Sequence, residues 1–199
     1  YSFDYIFHHA AISDTRIYDQ EIILKTNVNS FYEILDLARK NCANLVYASS
    51  AATYGNLASP QTVGKESPQN PYGFSKYMMD QIATRFSKKN KEILVVGLRF
   101  FNVYGPKEFF KEQTSSMIIQ LAHQILRNEP PRLFLNSDSI YRDFIYIDDV
   151  VKANILAVDS KKSGVHNVGT GKPRSFKDIV DVLQKEFKNN LKIEYFINP

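Results

Sequence analysis

The 199-residue sequence predicts an α/β fold built around a parallel, buried sheet. Two observations lead to this prediction. Short apolar runs alternate with longer amphipathic stretches, which is the pattern of βα units. Hydrophobic residues make up 44% of the chain and charged residues 23%, so the chain can bury a core of ordinary size. At roughly 100 to 200 residues per domain, the length allows one domain, or one and part of a second.

Each apolar run is interpreted as a strand and each amphipathic stretch as a helix. In chain order, strands are expected at residues 4–8, 45–49, 93–100, around 133, 144–147, 164–168 and 192–196. Helices are expected at residues 18–41, 71–88, 115–127, 149–160 and 176–187. The Pro130-Pro131 pair predicts a boundary between a sheet domain, residues 1–130, and a smaller domain, residues 131–199.

Composition excludes several classes of protein and site. No run approaches the ~20 apolar residues of a membrane-spanning helix, and no basic segment precedes an apolar run at the start. The single cysteine, Cys42, excludes an internal disulfide framework and a metal site of several thiolates. The net charge of +4 comes from interspersed charges. We therefore expect a cytoplasmic protein that uses no metal and binds neither nucleic acid nor membrane.

A tyrosine and a lysine lie four residues apart in Tyr72-Gly73-Phe74-Ser75-Lys76, at the start of a predicted helix. Residues at this spacing share one helix face. A free phenol titrates near pH 10, so Tyr72 can accept a proton at neutral pH only where positive charge favours the phenolate. Lys76 would supply that charge. The spacing is also common on helix surfaces, so the pair needs support from elsewhere in the chain.

Two strand ends supply that support. The segment Tyr47 to Gly55 follows an apolar strand and contains Ser49 and Ser50, and the segment Arg99 to Pro106 ends another strand in a Gly-Pro turn. In open α/β sheets, ligands bind at the carboxyl ends of the strands. A serine hydroxyl there can hold a substrate oxygen against a phenol. Ser50 is the first choice for this role and Ser49 the second.

Together, the segments 7–11, 47–55, 70–76 and 99–106 resemble the extended short-chain dehydrogenase/reductase family. The resemblance implies a Rossmann-like doubly wound parallel sheet with a smaller α/β substrate-binding domain. It also implies a nucleotide-sugar enzyme with a bound nicotinamide cofactor. The fingerprint Gly-x-Gly-x-x-Gly is not in the sequence, which favours an excerpt without its first half and a C-terminal segment, one that binds cofactor poorly. The residue that separates NAD from NADP would lie in that half.

Within this family, YASSAATYG, FFNVYGP with Lys111 after it, and Arg142 to Val150 are similar to the ADP-L-glycero-D-manno-heptose 6-epimerases. That resemblance implies inversion of C6'' through a transient ketone, with NADP as cofactor, in the supply of heptose for the lipopolysaccharide inner core. It makes Tyr72 and Lys111 the two acid/base groups, with Lys76 and Ser50 assisting. Because a lysine acts as a base only when burial or a cation lowers its pKa, we expect Lys111 in a partly enclosed pocket.

Further contacts follow from the resemblance alone. Cofactor contacts are implied for His9, Ala10, Ala11, Ile12, Ser13, Asn27, Lys76, Val103 and Lys111. Substrate contacts are implied for Ser50, Asn102, Gln113, Gln120, Phe134, Leu135, Asn136, Ser137 and Arg142. A planar guanidinium suits a diphosphate, and the alternative for Arg142 is a salt bridge to Asp143 or Asp138.

Alternatives remain open at this stage. A UDP-hexose 4-epimerase or a nucleotide-sugar 4,6-dehydratase would share Ser50 and the Tyr72–Lys76 pair but would leave Lys111 without a role. An inactive fragment, or a non-catalytic protein that binds RNA on its sheet, is a further alternative. The partners implied by the heptose interpretation are an ADP-heptose and copies of the same chain, since the resembling family forms pentamers.

Overall fold

A computed structural model describes residues 2–197, apart from the side chains of Phe109, Glu112 and Gln113. Its strands are β1 (Tyr5–His8), β2 (Asn44–Ser50), β3 (Val95–Phe100), β4 (Asn102–Tyr104), β5 (Arg132–Phe134), β6 (Tyr141–Arg142), β7 (Phe144–Tyr146), β8 (Gly164–Val168), β9 (Arg174–Ser175) and β10 (Glu194–Phe196). Its α-helices are α1 (Gln20–Ile23), α2 (Ser30–Asn41), α3 (Pro71–Lys89), α4 (Met117–Leu126), α5 (Ile147–Val158) and α6 (Phe176–Glu186). The chain divides into two compact units.

Unit 1 comprises residues 1–101 and 149–168 and contains the main sheet. Its four strands are parallel, in the order β1-β2-β3-β8. Residues of β2 and β3 are almost wholly buried, as expected for strands covered on both faces. One core cluster joins Phe31 and Leu35 of α2 to Leu45 of β2 and Met79 of α3. The predicted α/β class with a parallel sheet is thus confirmed.

The helix expected at residues 18–41 is interrupted. A π-helical segment, Leu24–Asn29, lies between α1 and α2. Such wide turns are rare and often occur at functional sites. Here the segment contains Asn27, whose side chain is buried.

Unit 2 comprises residues 102–148 and 169–199. Three two-stranded sheets form it: β4 pairs with β7 and β10 with β5 in parallel, and β6 pairs with β9 in antiparallel. Its core joins Leu121 of α4, Leu133 of β5 and Phe176 and Val180 of α6. The sequence-based boundary at 130/131 does not coincide with the observed division. The predicted boundary falls inside unit 2, because unit 2 begins just after β3. The chain returns to unit 1 at residue 149, for most of α5 and for β8.

The other strands and helices agree with the expected positions to within a few residues. The structure also has short elements that the sequence analysis did not predict, because they are too short to show a hydrophobic period. These are β4, β6, β9 and the 3₁₀ segments Ala51–Tyr54 and Glu108–Thr114. Among the described residues, none of the helices has the length and apolar character needed to cross a bilayer.

Candidate active site

The carboxyl end of β2 and the first turn of α3 come into close contact. Asn70 caps α3 by accepting a 2.7 Å hydrogen bond from the Gly73 amide, and Pro71 occupies the first turn, where its missing N–H costs nothing. A Cβ placed on Gly73 would lie 2.5 Å from the carbonyl oxygen of Ala52. Glycine at position 73 therefore allows the helix to approach the 3₁₀ turn that follows Ser50.

This approach brings Tyr72 and Ser50 together. Burial raises the pKa of Tyr72, and interaction with the Ser50 side chain acts in the opposite direction. The Ser50 hydroxyl also accepts a 3.1 Å hydrogen bond from the Ala52 amide, which fixes its direction. Ser49 serves a different purpose, since its hydroxyl donates to the buried carboxylate of Asp80. Successive residues of a strand alternate in direction, so of the two serines only Ser50 is beside the phenol.

Lys76 is buried on the same helix, with an exposed fraction of 2%. Its ammonium donates a 2.7 Å hydrogen bond to the carbonyl oxygen of Ala48 in β2. Burial lowers the pKa of Lys76 to about 8, against the opposing attraction of Asp80. Lys76 in turn contributes to the lowered pKa of His8 and His9, for which burial is the main cause. A positive charge therefore lies one helical turn from Tyr72 in a largely dry environment.

Behind Lys76 is a buried charge cluster that the sequence analysis did not assign. Asp80 accepts from Tyr47 Oη at 2.9 Å, from Ser49 Oγ at 3.0 Å, and from Arg99 Nε and Nη2 at 2.9 and 2.7 Å. Arg99 also donates to Glu66 at 2.6 Å. Two signals in the sequence point to this cluster: Asp80 continues the Tyr72, Lys76 spacing, and Arg99 is a charge within an apolar strand.

The segment after β1 is held by Asn27. The amide of Ile12 donates to Asn27 Oδ1 at 2.8 Å, and Asn27 Nδ2 donates to the Ile12 carbonyl at 3.0 Å and to Ser75 Oγ at 3.0 Å. Asn27 thus fixes a backbone segment against α3. The small residues Ala10, Ala11 and Ser13 leave the backbone of this segment accessible. We call this accessible backbone segment, residues 10–13, the rim. It suits close approach of a dinucleotide.

His9 lies at the end of β1, beside this rim. Its ring stacks on Phe100, with centroids 6.0 Å apart, and its Nε2 is 3.0 Å from Asn154 Oδ1. These contacts hold the imidazole at the carboxyl edge of the sheet.

In unit 2, the segment with Lys111 is a 3₁₀ turn anchored by the buried Glu108. The Glu108 carboxylate accepts from the Gly105 amide at 2.8 Å, the Ser116 amide at 2.6 Å and the Ser116 hydroxyl at 3.0 Å. The expectation of an enclosed pocket for Lys111 is not met, because its side chain is exposed. The anchor buries the start of the turn, whereas Phe110, Lys111 and Thr114 lie at the surface.

Other predicted contacts of unit 2 lie at the ends of β4 and α4. Asn102 and Val103 belong to β4 and pair with Phe144 and Ile145 of β7. Gln120 is half-buried in α4, and its amide donates to the Ser115 carbonyl at 2.8 Å. The predicted role of Gln113 concerns a side chain outside the described residues.

The loop at residues 134–137 follows β5. Phe134 packs on Phe196, Leu135 is half exposed, and Asn136 adopts a left-handed conformation with φ of 64°. Ser137 is fully buried, and its hydroxyl has no hydrogen-bond partner among the described residues.

Arg142 is exposed and forms no salt bridge within residues 2–197 as described; its Nη1 donates to its neighbour's carbonyl, that of Tyr141. Asp143 is occupied elsewhere, because it accepts from the Thr170 amide and hydroxyl and from the Gly171 amide. The alternative of an Arg142–Asp143 pair is therefore not seen.

Unit 1 thus combines a phenol, a hydroxyl and a buried ammonium at the carboxyl edge of a parallel sheet, beside an accessible backbone rim. A phenol supported by a cation can exchange a proton with a substrate hydroxyl, and the serine can orient that hydroxyl. No metal ligand set is needed for this chemistry. The arrangement fits oxidation and reduction of an alcohol carbon, with the rim as the place for a dinucleotide.

Comparison with known proteins agrees with this geometry. Residues 1–169 match the family described as the NAD dependent epimerase/dehydratase family. The chain is 40% identical over 198 residues to an ADP-L-glycero-D-manno-heptose-6-epimerase of Brachyspira hyodysenteriae, covering 98% of this chain and 62% of the relative.

Two solved structures are also similar. The Helicobacter pylori ADP-L-glycero-D-manno-heptose-6-epimerase superposes with a TM-score of 0.93 at 46% identity, over 100% of this chain and 62% of that one. The UDP-N-acetylglucosamine 4-epimerase of Methanobrevibacter ruminantium superposes with a TM-score of 0.92 at 25% identity, over 98% of this chain and 64% of that one. The chain therefore spans less than two thirds of each relative's length.

Proposed function

Because the chain belongs to the NAD dependent epimerase/dehydratase family, we propose that its Tyr72–Lys76–Ser50 centre serves a nucleotide-sugar epimerase. The proposed reaction converts ADP-D-glycero-D-manno-heptose to ADP-L-glycero-D-manno-heptose by inversion at C6''. The observation that carries the proposal is the buried Lys76 one turn from Tyr72, with Ser50 beside the phenol. Identity of 40 to 46% with heptose epimerases supports the substrate over other nucleotide sugars.

In the proposed mechanism, Ser50 holds the C6'' hydroxyl against Tyr72. The Tyr72 oxygen accepts the hydroxyl proton as C6'' is oxidised to a ketone. The Ser50 side chain opposes the rise in the pKa of Tyr72 that burial causes, and the charge of Lys76, one turn away, would favour the phenolate as well. The proton leaves the substrate oxygen for Tyr72, while hydride leaves C6'', for which a bound nicotinamide would be the acceptor. Helix α3 supplies Tyr72 and Lys76 for the proton transfer.

Inversion requires the ketone to be reduced on its opposite face, and we assign the second acid/base role to Lys111. In the described structure its side chain is exposed. In the complex with substrate, its amine would exchange a proton with the substrate oxygen on that face.

The residues present fit a nicotinamide dinucleotide. When bound, the nicotinamide supplies the hydride acceptor and donor. Ala10, Ala11 and Ser13 leave room beside the backbone, and Asn27 holds that backbone through two hydrogen bonds to Ile12. Lys76 would hold the ribose near the nicotinamide. NADP, the cofactor expected from the resemblance, is proposed over NAD.

Arg142 is proposed to bind the diphosphate, since it is exposed and its neighbour Asp143 is engaged by Thr170 and Gly171. A guanidinium binds a diphosphate through paired hydrogen bonds. The loop at residues 134–137 is proposed to contact the sugar, and within the described part of the chain its buried Ser137 hydroxyl has no hydrogen-bond partner. Supply of heptose for the lipopolysaccharide inner core would be the biological role.

The test is an NMR assay of ADP-heptose interconversion by the purified protein with NADP or NAD added. We expect Tyr72→Phe and Lys111→Met each to slow epimerisation by at least about 100-fold, the usual contribution of an acid/base group, with folding unchanged. Tyr195→Phe and Lys185→Met, which alter exposed side chains of unit 2, serve as matched controls.

Two outcomes would contradict the proposal. Full turnover in the Lys111→Met variant would remove its acid/base role. Turnover of UDP-hexoses but not of ADP-heptose would assign the chain to the 4-epimerases, the class of the Methanobrevibacter ruminantium relative.

A further inference from the structure

Asp80 is the most constrained ionisable side chain of unit 1 that the proposed mechanism does not use. It is 1% exposed and accepts four hydrogen bonds, all from donors on β2 and β3. An ionised carboxylate only accepts hydrogen bonds, so four donors around Asp80 favour its ionised form. Burial raises the pKa of Asp80, and the adjacent Arg99 opposes that rise. The negative charge is therefore retained inside the unit.

The charge of Asp80 lies on the same face of α3 as Lys76 and Tyr72. Tyr72, Lys76 and Asp80 follow one another at four-residue spacing along α3, so they lie on one face in successive turns. Two consecutive residues of β2 hold the last two of them: the Ala48 carbonyl accepts from Lys76, and the Ser49 hydroxyl donates to Asp80. The lysine and the carboxylate are thus held in place by the same short stretch of strand.

The charges around Lys76 leave Asp80 as its electrostatic partner. The titratable and charged groups nearby are Tyr72 and Asp80 on α3, His8 and His9 at the end of β1, Tyr47 on β2, and Arg99 beyond Asp80 on β3. The histidines have a lowered pKa and so are neutral near pH 7. Asp80 is the group whose charge favours protonated Lys76.

We propose that Asp80 is a positioning residue of the Tyr72–Lys76 centre: its carboxylate, fixed by hydrogen bonds from β2 and β3, keeps Lys76 protonated beside Tyr72, where the Ala48 carbonyl holds the lysine. The inference rests on the proposed role of Lys76. The hydrogen bond from Tyr47 to Asp80 depends on Gly97 of β3, because a Cβ there would lie 2.5 Å from the Tyr47 hydroxyl. Arg99 also holds the Asp80 carboxylate, because it forms salt bridges to both Asp80 and Glu66.

The test compares Asp80→Asn with Tyr47→Phe. The first removes the charge, and the second removes one hydrogen bond to the same carboxylate and keeps the charge. The titration of Lys76 is followed through its ε-carbon by NMR, with the signal assigned by Lys76→Arg. In Asp80→Asn we expect the Lys76 midpoint to move down by about 1 on the pH scale, at the lower end of what a nearby opposite charge contributes. In Tyr47→Phe the midpoint should stay at its wild-type value.

Activity gives a second readout. With Asp80→Asn, kcat should decline at a correspondingly lower pH as Lys76 loses its proton, while KM changes little. Because Asp80→Asn leaves Arg99 paired with Glu66 alone, Asp80→Asn combined with Arg99→Gln removes the buried pair together and should lower the midpoint in the same direction. An unchanged Lys76 midpoint in a folded variant without Asp80 would overturn the proposal.

The two proposals fail separately. A lowered midpoint in a protein that does not epimerise ADP-heptose would keep the role of Asp80 and contradict the proposed substrate. An unchanged Lys76 midpoint in a protein that epimerises ADP-heptose would support the proposed substrate and contradict the role of Asp80.

Discussion

Lys76 shows how a single buried residue couples function to stability. Its ammonium is buried with one carbonyl partner, and burial lowers its pKa from 10.5 to about 8. In the unfolded chain the amine titrates near 10.5, so between pH 8 and 10.5 the unfolded state binds more protons than the folded state. The cost of burying the charged amine is therefore fully present below pH 8 and is relieved as the pH rises through that window, so stability rises with pH there.

We predict that the free energy of unfolding, measured by urea titration, increases for the wild-type protein relative to Lys76→Met between pH 8 and 10.5. The upper limit of this increase is about 3.5 kcal/mol, because a tenfold change in a proton-binding constant corresponds to about 1.4 kcal/mol. Lys185→Met, which alters an exposed lysine, is the control: the difference in the free energy of unfolding between wild type and Lys185→Met should not rise with pH in this range. A difference between wild type and Lys76→Met that is flat with pH would mean that the amine is neutral, or solvated, in the folded protein.

The choice between Ser49 and Ser50 is also made at the scale of single residues. The sequence shows two adjacent serines and cannot say which faces the phenol. The strand alternation, with Ser49 bound to Asp80, leaves Ser50 for Tyr72.

At the scale of elements, the site depends on how closely α3 approaches the end of β2. Gly73 sits where a Cβ would lie 2.5 Å from the backbone oxygen of Ala52. In an isolated helix, alanine is more favourable than glycine by about 1 kcal/mol. At this contact the neighbour is backbone and cannot rotate away, so we expect the clash to outweigh that gain.

We predict that Gly73→Ala lowers kcat and the thermal unfolding temperature together, since the helix must shift and carry Tyr72 away from Ser50. Gly164→Ala in β8 is the matched control, because its Cβ would meet the His166 ring at ordinary distances, 3.5 Å to Nε2 and 4.0 Å to Cε1. Measured by NMR turnover and calorimetry, a Gly73→Ala protein as active as the wild type would show that the contact with Ala52 is not required.

At the scale of the whole molecule, two compact units share one chain, and each has its own core. The chain crosses between them at residues 101/102, 148/149 and 168/169. Tyr72, Ser50 and Lys76 belong to unit 1, whereas Lys111 and Arg142 belong to unit 2.

We also predict a homo-oligomer, as the resemblance to the heptose epimerases implies. Exposed apolar side chains such as Tyr32 and Leu37 of α2, 56% and 40% exposed, are surface that a second copy would bury. Sedimentation of the purified protein should give a mass that is a multiple of the chain mass. A monomer at all concentrations tested would contradict this prediction.

The sequence by itself determined the α/β class, the positions of the four strands of the main sheet and the Tyr72–Lys76 spacing. These depend on local spacing, since apolar period and i, i+4 neighbours need no knowledge of distant residues. Motif spelling also indicated the family, because several short segments had to agree at once.

Only the tertiary structure decided the rest. The cluster of Asp80, Arg99 and Glu66 depends on the register that sets Ser49 of β2 beside Arg99 of β3, two residues 50 positions apart. The exposure of Lys111 depends on the anchor from Glu108 to Ser116, and the boundary of the units on the return of the chain to β8. The pairing of Ser49 with Arg99 joins residues far apart in the chain, and a linear pattern does not specify which distant residues meet. The anchor from Glu108 to Ser116 spans only eight residues, but the turn that forms it has no period that the sequence could show.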